Sequence, residues 1–349
     1  MPAVRSFEVP TVMKHGVGAI ASLADEVKAL GISQPMIVTD GGIVKAGLLA
    51  EVEKPLKAAN IGYVTFDQVI PNPPAALVDR GAEVYLKEKC DGLIGFGGGS
   101  SLDTAKSIGV VAANGGSILR YEWADPQPIE KRIPPTICVP TTAGTGSEVT
   151  LWAVITDPQR QIKFNVGGTG LIGAWLALID PALTANLPPA VTAGTGMDAL
   201  AHAVECYTGA PAQPFSDAVA LLAMEYVGQY LRIAFAQGHN LDARYKMCMA
   251  AMLGGMAYGT ESAGAAHAMS QTAGGVHDVP HGALTARCLG PVMEYNYLGE
   301  PHKFARIAQA LGEDTRGLTV WRAAEKAVEA VYRLTEDVEI PTLQELGFS

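Results

Sequence analysis

The chain has 349 residues, of which 48% are apolar and 17% charged, the composition of a folded protein long enough for two domains rather than of a disordered one. A formal net charge of −10 gives a surface that repels nucleic-acid phosphates and anionic membranes, so neither is an expected partner. The five cysteines (Cys90, Cys138, Cys206, Cys248 and Cys288) are widely spaced and contain no Cys-x-x-Cys pair, which argues against a disulfide framework or zinc knuckle and fits a reducing cytoplasm. The first sixteen residues lack the apolar core and cleavage site of a signal peptide.

In chain order, an amphipathic segment over 18–30 precedes a short apolar strand over 36–39 that stops at Asp40. A strand over 61–66 follows, then an amphipathic helix over 76–88, a strand over 93–96 and a strand over 136–140. Strand, loop and helix in alternation predict a mostly parallel sheet covered on both faces. After Asp180-Pro181 the strand signals stop, and Ala/Met/Leu-rich helical stretches take over at 197–207, 216–234, 244–258, 302–309 and 320–334. The expected division is an α/β Rossmann-like, dinucleotide-binding domain over 1–181 and an all-helical domain over 182–349. The apolar stretch 247–269 is interrupted by Glu261, Ser262 and several glycines and reads as one buried helix, not a membrane span.

Two loops carry ligand chemistry. Gly97-Gly98-Gly99-Ser100-Ser101-Leu102-Asp103 joins a strand to a helix, where glycines let the backbone approach a diphosphate and the helix start offers free N–H groups. Asp103 counts among the cofactor candidates of this loop. Thr141-Thr142-Ala143-Gly144-Thr145-Gly146-Ser147-Glu148 follows the next strand, and its small hydroxyl residues suit hydrogen bonds to ribose, phosphate or an amide. Asp40, at the end of its strand, can accept from an adenosine ribose and would repel a 2′-phosphate, which favours NAD over NADP; the same residue reads equally well as a turn aspartate before Gly41-Gly42.

A second constellation lies in the helical half. Asp198 and His202, at i and i+4, share a helix face and can grip one ion, although such a pair is more often a helix salt bridge. His267 sits in an apolar helical stretch where an unpaired imidazole would cost about 1–3 kcal/mol, and His281 follows in Val279-Pro280-His281-Gly282. Three imidazoles and one carboxylate suit Fe²⁺ or Zn²⁺ and not Mg²⁺ or Ca²⁺.

The loops GGGSSLDTAK and TTAGTGSEVT, the GMDALAHAVE helix and the block from His267 to Pro280-His281-Gly282 together resemble the iron-containing (group III) alcohol dehydrogenases, in that family's order and from about residue 7 onward. The resemblance implies a dehydroquinate-synthase-like two-domain architecture and hydride transfer between NAD(H) and a small primary alcohol or aldehyde. It implies that Asp198, His202, His267 and His281 hold the metal. It further implies that Asp40, Gly97, Gly98, Gly99, Ser100, Thr141, Thr142 and Thr145 border the NAD, with Asn72 and Lys163 at further nucleotide positions, and that the enzyme is a homodimer or larger. Two departures stand out. In the substrate pocket a position often occupied by a further histidine is Gln271 and a common tyrosine is His277; secondly, the chain stops at Ser349 where relatives continue for further helices. His277 is the candidate proton relay, beside the reading of a structural loop histidine, and with His267 makes up the catalytic set. The rival functions are a dehydroquinate-synthase-like lyase, disfavoured by the scarcity of Lys and Arg around the metal helices, and a non-catalytic nucleotide- and metal-binding relative.

Overall fold

The computed structural model describes residues 4–124, 126–260, 264–277 and 279–348. These form two compact units: Glu8–Thr142 with Ser147–Leu183, and the chain from Thr184 onward with Ala143–Gly146 and the residues up to Phe7.

The first unit is built on β1 (Val12–His15), β2 (Pro35–Asp40), β3 (Val64–Val69), β4 (Gly92–Gly97), β5 (Thr136–Pro140) and, after a separate antiparallel pair β6 (Trp152–Asp157) and β7 (Ile162–Gly167), β8 (Leu176–Ile179). The sheet order is β1-β8-β5-β4-β2-β3, with every pair parallel. Its helices are α1 (Leu23–Ala29), α2 (Gly41–Lys45), α3 (Leu49–Ala58), α4 (Ala75–Lys87) and α5 (Gly99–Asn114). Successive strand residues point to opposite faces. Met36, Val38 and Leu93 therefore pack with Leu77, Val78 and Ala82 of α4 and Ala105 and Ile108 of α5. Ile37, Ile94 and Phe96 pack with Leu23 and Val27 of α1 and Val52 and Leu56 of α3. Both faces are covered, which is why the central strands read as unbroken apolar runs rather than as alternations.

The strand expected over 61–66 begins three residues later. Asn60 adopts a left-handed φ of 55°, and the N–H groups of Asn60 and Ile61 donate back to Lys57 O and Leu56 O at 3.1 and 2.9 Å. This terminating motif consumes residues 60–61 in closing α3, so the chain extends only from Val64. The β6–β7 hairpin was not legible, because its half-buried positions include the apolar Trp152, Val154 and Ile162 while buried Asp157 is charged, which blurs the two-residue alternation.

The second unit is helical among its described residues: α6 (Pro189–Thr208), α7 (Pro214–Ala236), α8 (Leu241–Thr260), α9 (Ala265–Val276), α10 (His281–Asn296), α11 (Pro301–Ala310) and α12 (Val320–Asp337). Proline opens α6, α7 and α11, where its missing N–H has no intrahelical partner to lose. The stretch 247–269 is not the single helix expected: α8 ends at Thr260 and α9 begins at Ala265, Gly264 being the latter's N-cap, while residues 261–263, and with them Glu261 and Ser262, lie outside the described residues. One described helix, α7, is long and apolar enough to cross a membrane, and it packs along α6 and α8.

Glycine sets how closely α8 is approached. A Cβ on Gly255 would lie 2.6 Å from Gly146 O, and one on Gly146, which has φ +60°, would lie 2.5 Å from Ala251 O. Backbone meets backbone here, so neither side can yield. Gly255→Ala is expected to destabilise the protein by about 1–3 kcal/mol, read as a lowered denaturation midpoint; an unchanged midpoint would show that this contact relaxes freely.

Candidate metal centre and nucleotide-binding edge

Helix periodicity places Asp198, His202 and Glu205 on one stripe of α6. All three are buried. Two close approaches deliver the other imidazoles. Gly282, directly after His281, meets Gly194 of α6, where a Cβ would fall 2.3 Å from Gly194 O; only glycine lets the start of α10 sit this near to α6. Thr285 of α10 donates to Ser270 Oγ of α9 at 2.9 Å, one turn beyond His281 and His267 respectively.

The result is a cluster in which Asp198, His267 and His281 present ligand atoms all within 4.8 Å of one another, a group able to hold a metal ion. Nε2 of His267 and Nε2 of His281 each lie 3.6 Å from Asp198 Oδ1. His202 stands beside this trio and outside its 4.8 Å grouping: its ring centroid is 4.3 Å from that of His267, and its Nδ1 is 4.0 Å from Asp198 Oδ2. Tyr258 closes the group, its ring 5.1 Å from His202 and 6.3 Å from His267.

The electrostatics are those of a site that wants a cation. Burial pushes the Asp198 carboxyl up, but the imidazoles of His202, His281 and His267 outweigh it and hold the group below the usual carboxylate range. Burial, reinforced by the neighbouring His267, drives His202 down to about 4, so it is neutral and able to ligate. Burial also opposes protonation of His267, but the carboxylates of Asp198 and Glu205 prevail and raise it to about 9. Asp198 Oδ1, His202 Nδ1 and His267 Nε2 are buried without a hydrogen-bond partner. A divalent cation satisfies a carboxylate oxygen and imidazole nitrogens together, and the mixed N/O donor set fits Fe²⁺ or Zn²⁺.

His277 is exposed at the C-cap of α9, its ring packed edge-on against Phe348 at 4.8 Å, and Gln271 lies on α9 one turn after His267. Neither belongs to the trio of Asp198, His267 and His281.

The first unit supplies an edge of a different kind. β3 lies on one side of β2 and β4 on the other, so the strand order reverses between β2 and β4. Ligands of open parallel sheets bind outside the carboxyl ends of the strands at such a reversal. Asp40 ends β2 and Gly97 ends β4. A Cβ on Gly97, whose φ is +146°, would meet Ser101 Oγ at 2.6 Å and Asp40 Oδ2 at 3.1 Å, so the two strand ends touch. Asp40 also caps α2, accepting from Gly42 N and Ile43 N at 2.8 and 3.0 Å through Oδ1, while Oδ2 faces the Ser101 hydroxyl at 3.3 Å. The capping bonds are those of the turn-aspartate reading of this residue. Gly98 is the N-cap of α5, Gly99 and Ser100 form its first turn, Thr141 N–H donates to Gly97 O at 2.9 Å, and Thr142 packs against Gly98. Asn72 takes a left-handed φ of 53° in the loop before α4, and Thr156, which pairs with Lys163 across the β6–β7 hairpin, donates its N–H to the adjoining Pro73 O at 2.9 Å. Thr145 lies in Ala143–Gly146, the segment that belongs with the helical unit.

Asp103 is engaged inside the unit. Its Oδ1 accepts from the Ser147 hydroxyl and lies 3.4 Å from Lys106 Nζ, and its Oδ2 accepts from Val154 N at 3.0 Å. Lys106, fully buried, donates to Ser147 O at 2.9 Å, to Thr150 Oγ1 at 3.1 Å and to Trp152 O. Together they brace the chain from 147 to 154 against α5. Sequence reasoning names Asp103 as a cofactor candidate but not its pairing with Lys106, and it missed Glu205, for which the i+7 spacing from Asp198 was the available signal.

The family model for iron-containing alcohol dehydrogenase matches residues 10–181, and that for the C-terminal part of the Fe-containing alcohol dehydrogenase family matches residues 192–349. The chain is 58% identical over 350 residues to choline dehydrogenase of Bacillus subtilis, spanning 100% of this chain and 87% of that one. It is 40% identical over 347 residues to 1,3-propanediol dehydrogenase of Citrobacter freundii, spanning 97% and 88%. Among solved structures, the alcohol dehydrogenase from Oenococcus oeni superposes with a TM-score of 0.95 at 38% identity, covering 99% of this chain and 90% of the other.

Glu148, at the end of the second loop, is buried, and that burial raises its carboxyl from 4.5 to about 7. A carboxyl raised in the folded state costs stability when it ionises: the penalty is absent below pH 4.5 and complete above about pH 7. Glu148→Gln should therefore match the parent near pH 4.5 and exceed it by up to ~3 kcal/mol above pH 7, read as a difference in denaturation midpoint that grows with pH. A pH-independent difference would refute the assignment.

Proposed function

The chain belongs to the iron-containing alcohol dehydrogenase family, and on that premise we propose that its NAD- and metal-dependent activity is directed at choline or a closely similar quaternary-ammonium ethanol, with Asp198, His202, His267 and His281 as the metal ligands. The convergence of Asp198, His267 and His281 on one point, from three helices, carries the ligand assignment. The 58% identity along the whole chain, against 40% to the propanediol enzyme, favours choline. Tyr258 beside the imidazoles adds a physical reason, because a quaternary ammonium cannot hydrogen-bond and is recognised instead by the face of an aromatic ring.

When bound, the metal supplies Lewis acidity that acidifies a hydroxyl or polarises a carbonyl, and NAD accepts or returns the hydride. The protein supplies the rest. Asp198 stays ionised through the neutral range and offsets cationic charge, and His202 stays neutral with a lone pair available. The edge formed by Asp40, Gly97, Gly98, Gly99, Ser100, Thr141 and Thr142 binds and orients the dinucleotide: the helix start at Gly99 offers N–H groups to the diphosphate, and the Asp40 carboxylate disfavours a 2′-phosphate. Asn72, Lys163 and Thr145 extend the nucleotide contacts, and Asp103 acts through the loop it braces. His277, an exposed imidazole at the C-cap of α9, carries the proton to solvent. Cytoplasmic residence is supported by five buried cysteines that form no disulfide, and homo-oligomer assembly by exposed Tyr295 and Trp321.

Two measurements test this reading. Asp198→Ala should abolish bound metal, assayed by elemental analysis, together with turnover; full activity without metal would overturn the ligand set. In NAD⁺ reduction, kcat/KM for choline should exceed that for 1,3-propanediol by about tenfold, and Tyr258→Leu should remove most of that preference. Equal or better use of the diol by the parent enzyme would reject the quaternary-ammonium substrate.

A further inference from the structure

Helix α9, which carries His267, begins without a capping side chain of its own: its N-cap is Gly264, and the first-turn N–H groups need acceptors from elsewhere. They find one in Glu205 of α6. Glu205 Oε1 accepts from Ala266 N at 2.6 Å, and Oε2 lies 3.4 Å from His267 N and 2.5 Å from His267 Nδ1. A carboxylate can only accept at this distance, so Nδ1 carries a hydrogen, and in the neutral ring the lone pair is on Nε2. Nε2 is the nitrogen that faces Asp198 Oδ1 at 3.6 Å. One side chain thus fixes three things at once: the start of α9, the rotation of the His267 ring, and which ring nitrogen is offered to the cluster.

Its position explains why it can do so. Asp198, His202 and Glu205 follow one another along α6 at i, i+4 and i+7, so the ligands of α6 and the anchor for the ligand of α9 share one rigid element. Glu205 is 5% exposed, so its oxygens are largely withdrawn from solvent. The space is cut to fit: a Cβ on Gly264 would stand 2.4 Å from Glu205 Oε1 and 2.7 Å from its Cδ. Gly264 has an ordinary negative φ of −86°, so its lack of a side chain answers to the carboxylate and not to backbone strain.

Resting on the metal-ligand assignment above, we infer that Glu205 is the positioning residue of the metal centre, a buried carboxylate that preorganises His267 for metal binding through its Nδ1–H and through the N-terminus of α9, and that Gly264 is the clearance this carboxylate requires. Carboxylate–histidine pairs of this kind change metal affinity by about 10–100-fold.

The test measures metal affinity rather than turnover. Zn²⁺ is titrated into metal-stripped, full-length protein against a chromophoric chelator, and Co²⁺-loaded protein is followed by visible absorption. Glu205→Gln, which keeps the shape and one acceptor, should weaken Zn²⁺ binding by about tenfold, and Glu205→Ala by about 100-fold. Gly264→Ala, which alters no ligand and leaves Glu205 in place chemically, should weaken it by about tenfold as well. The Co²⁺ band should shift in Glu205→Gln, a change that loss of helix capping alone would not cause. Parent-like affinity and band in Glu205→Gln, with Asp198→Ala unable to bind, would overturn the positioning role while leaving the ligand set intact. Retention of metal by Asp198→Ala would instead overturn the ligand set beneath it.

Discussion

A carboxylate and several imidazoles buried together cannot be left to themselves, and the helical unit is organised around that constraint. Asp198 is 2% exposed and His267 1%, and the carboxylate oxygen and ring nitrogen that face one another have no hydrogen-bond partner. Removing such groups from water costs free energy that only a cation or a full set of hydrogen bonds returns. The surrounding features follow from meeting that need. Gly194 and Gly282 permit α10 to approach α6, Ser270 and Thr285 tie α9 to α10, and Glu205 holds α9 to α6. Each of these contacts brings an element carrying a residue of the cluster to the same point, and none belongs to the cluster itself.

The α/β unit solves a different problem with the same economy of means. A parallel sheet with both faces covered has only its strand ends free to meet a ligand, and the reversal of strand order between β2 and β4 opens space there. Asp40 and Gly97 stand at those two ends. The second loop is kept in place from beneath: Asp103 and Lys106 project from α5 and take up the hydroxyls, carbonyls and amide of 147–154. A fully buried lysine is costly unless each of its hydrogens is used, and here three acceptors and one carboxylate receive it. The DTAK part of the glycine-loop motif is thus explained by loop support.

The family to which the chain belongs accounts for the pairing of a dinucleotide edge with a mixed N/O metal cluster, and it removes the lyase and non-catalytic alternatives as the leading readings. Within that family the departures at Gln271 and His277 fall on α9 and its C-cap. These positions lie downstream of His267, on the helix whose first turn Glu205 caps.

Sequence alone settled what short-range physics settles. Helix and strand periods are local, so the alternation of the first half, the helices of the second, the glycine loop at a strand end and the i, i+4 spacing of Asp198 and His202 could all be read from neighbours a few residues apart. Tertiary structure alone decided which distant groups meet. His267 and Glu205 are 62 positions apart, and Asp103 and Val154 are 51 apart. No local pattern encodes such contacts, because they depend on how whole helices and strands pack. The late start of β3, the break between α8 and α9, the sheet order and the standing of His202 beside rather than within the tight trio have the same origin: each is set by a packing or termination contact that a linear reading cannot weigh against its competitors.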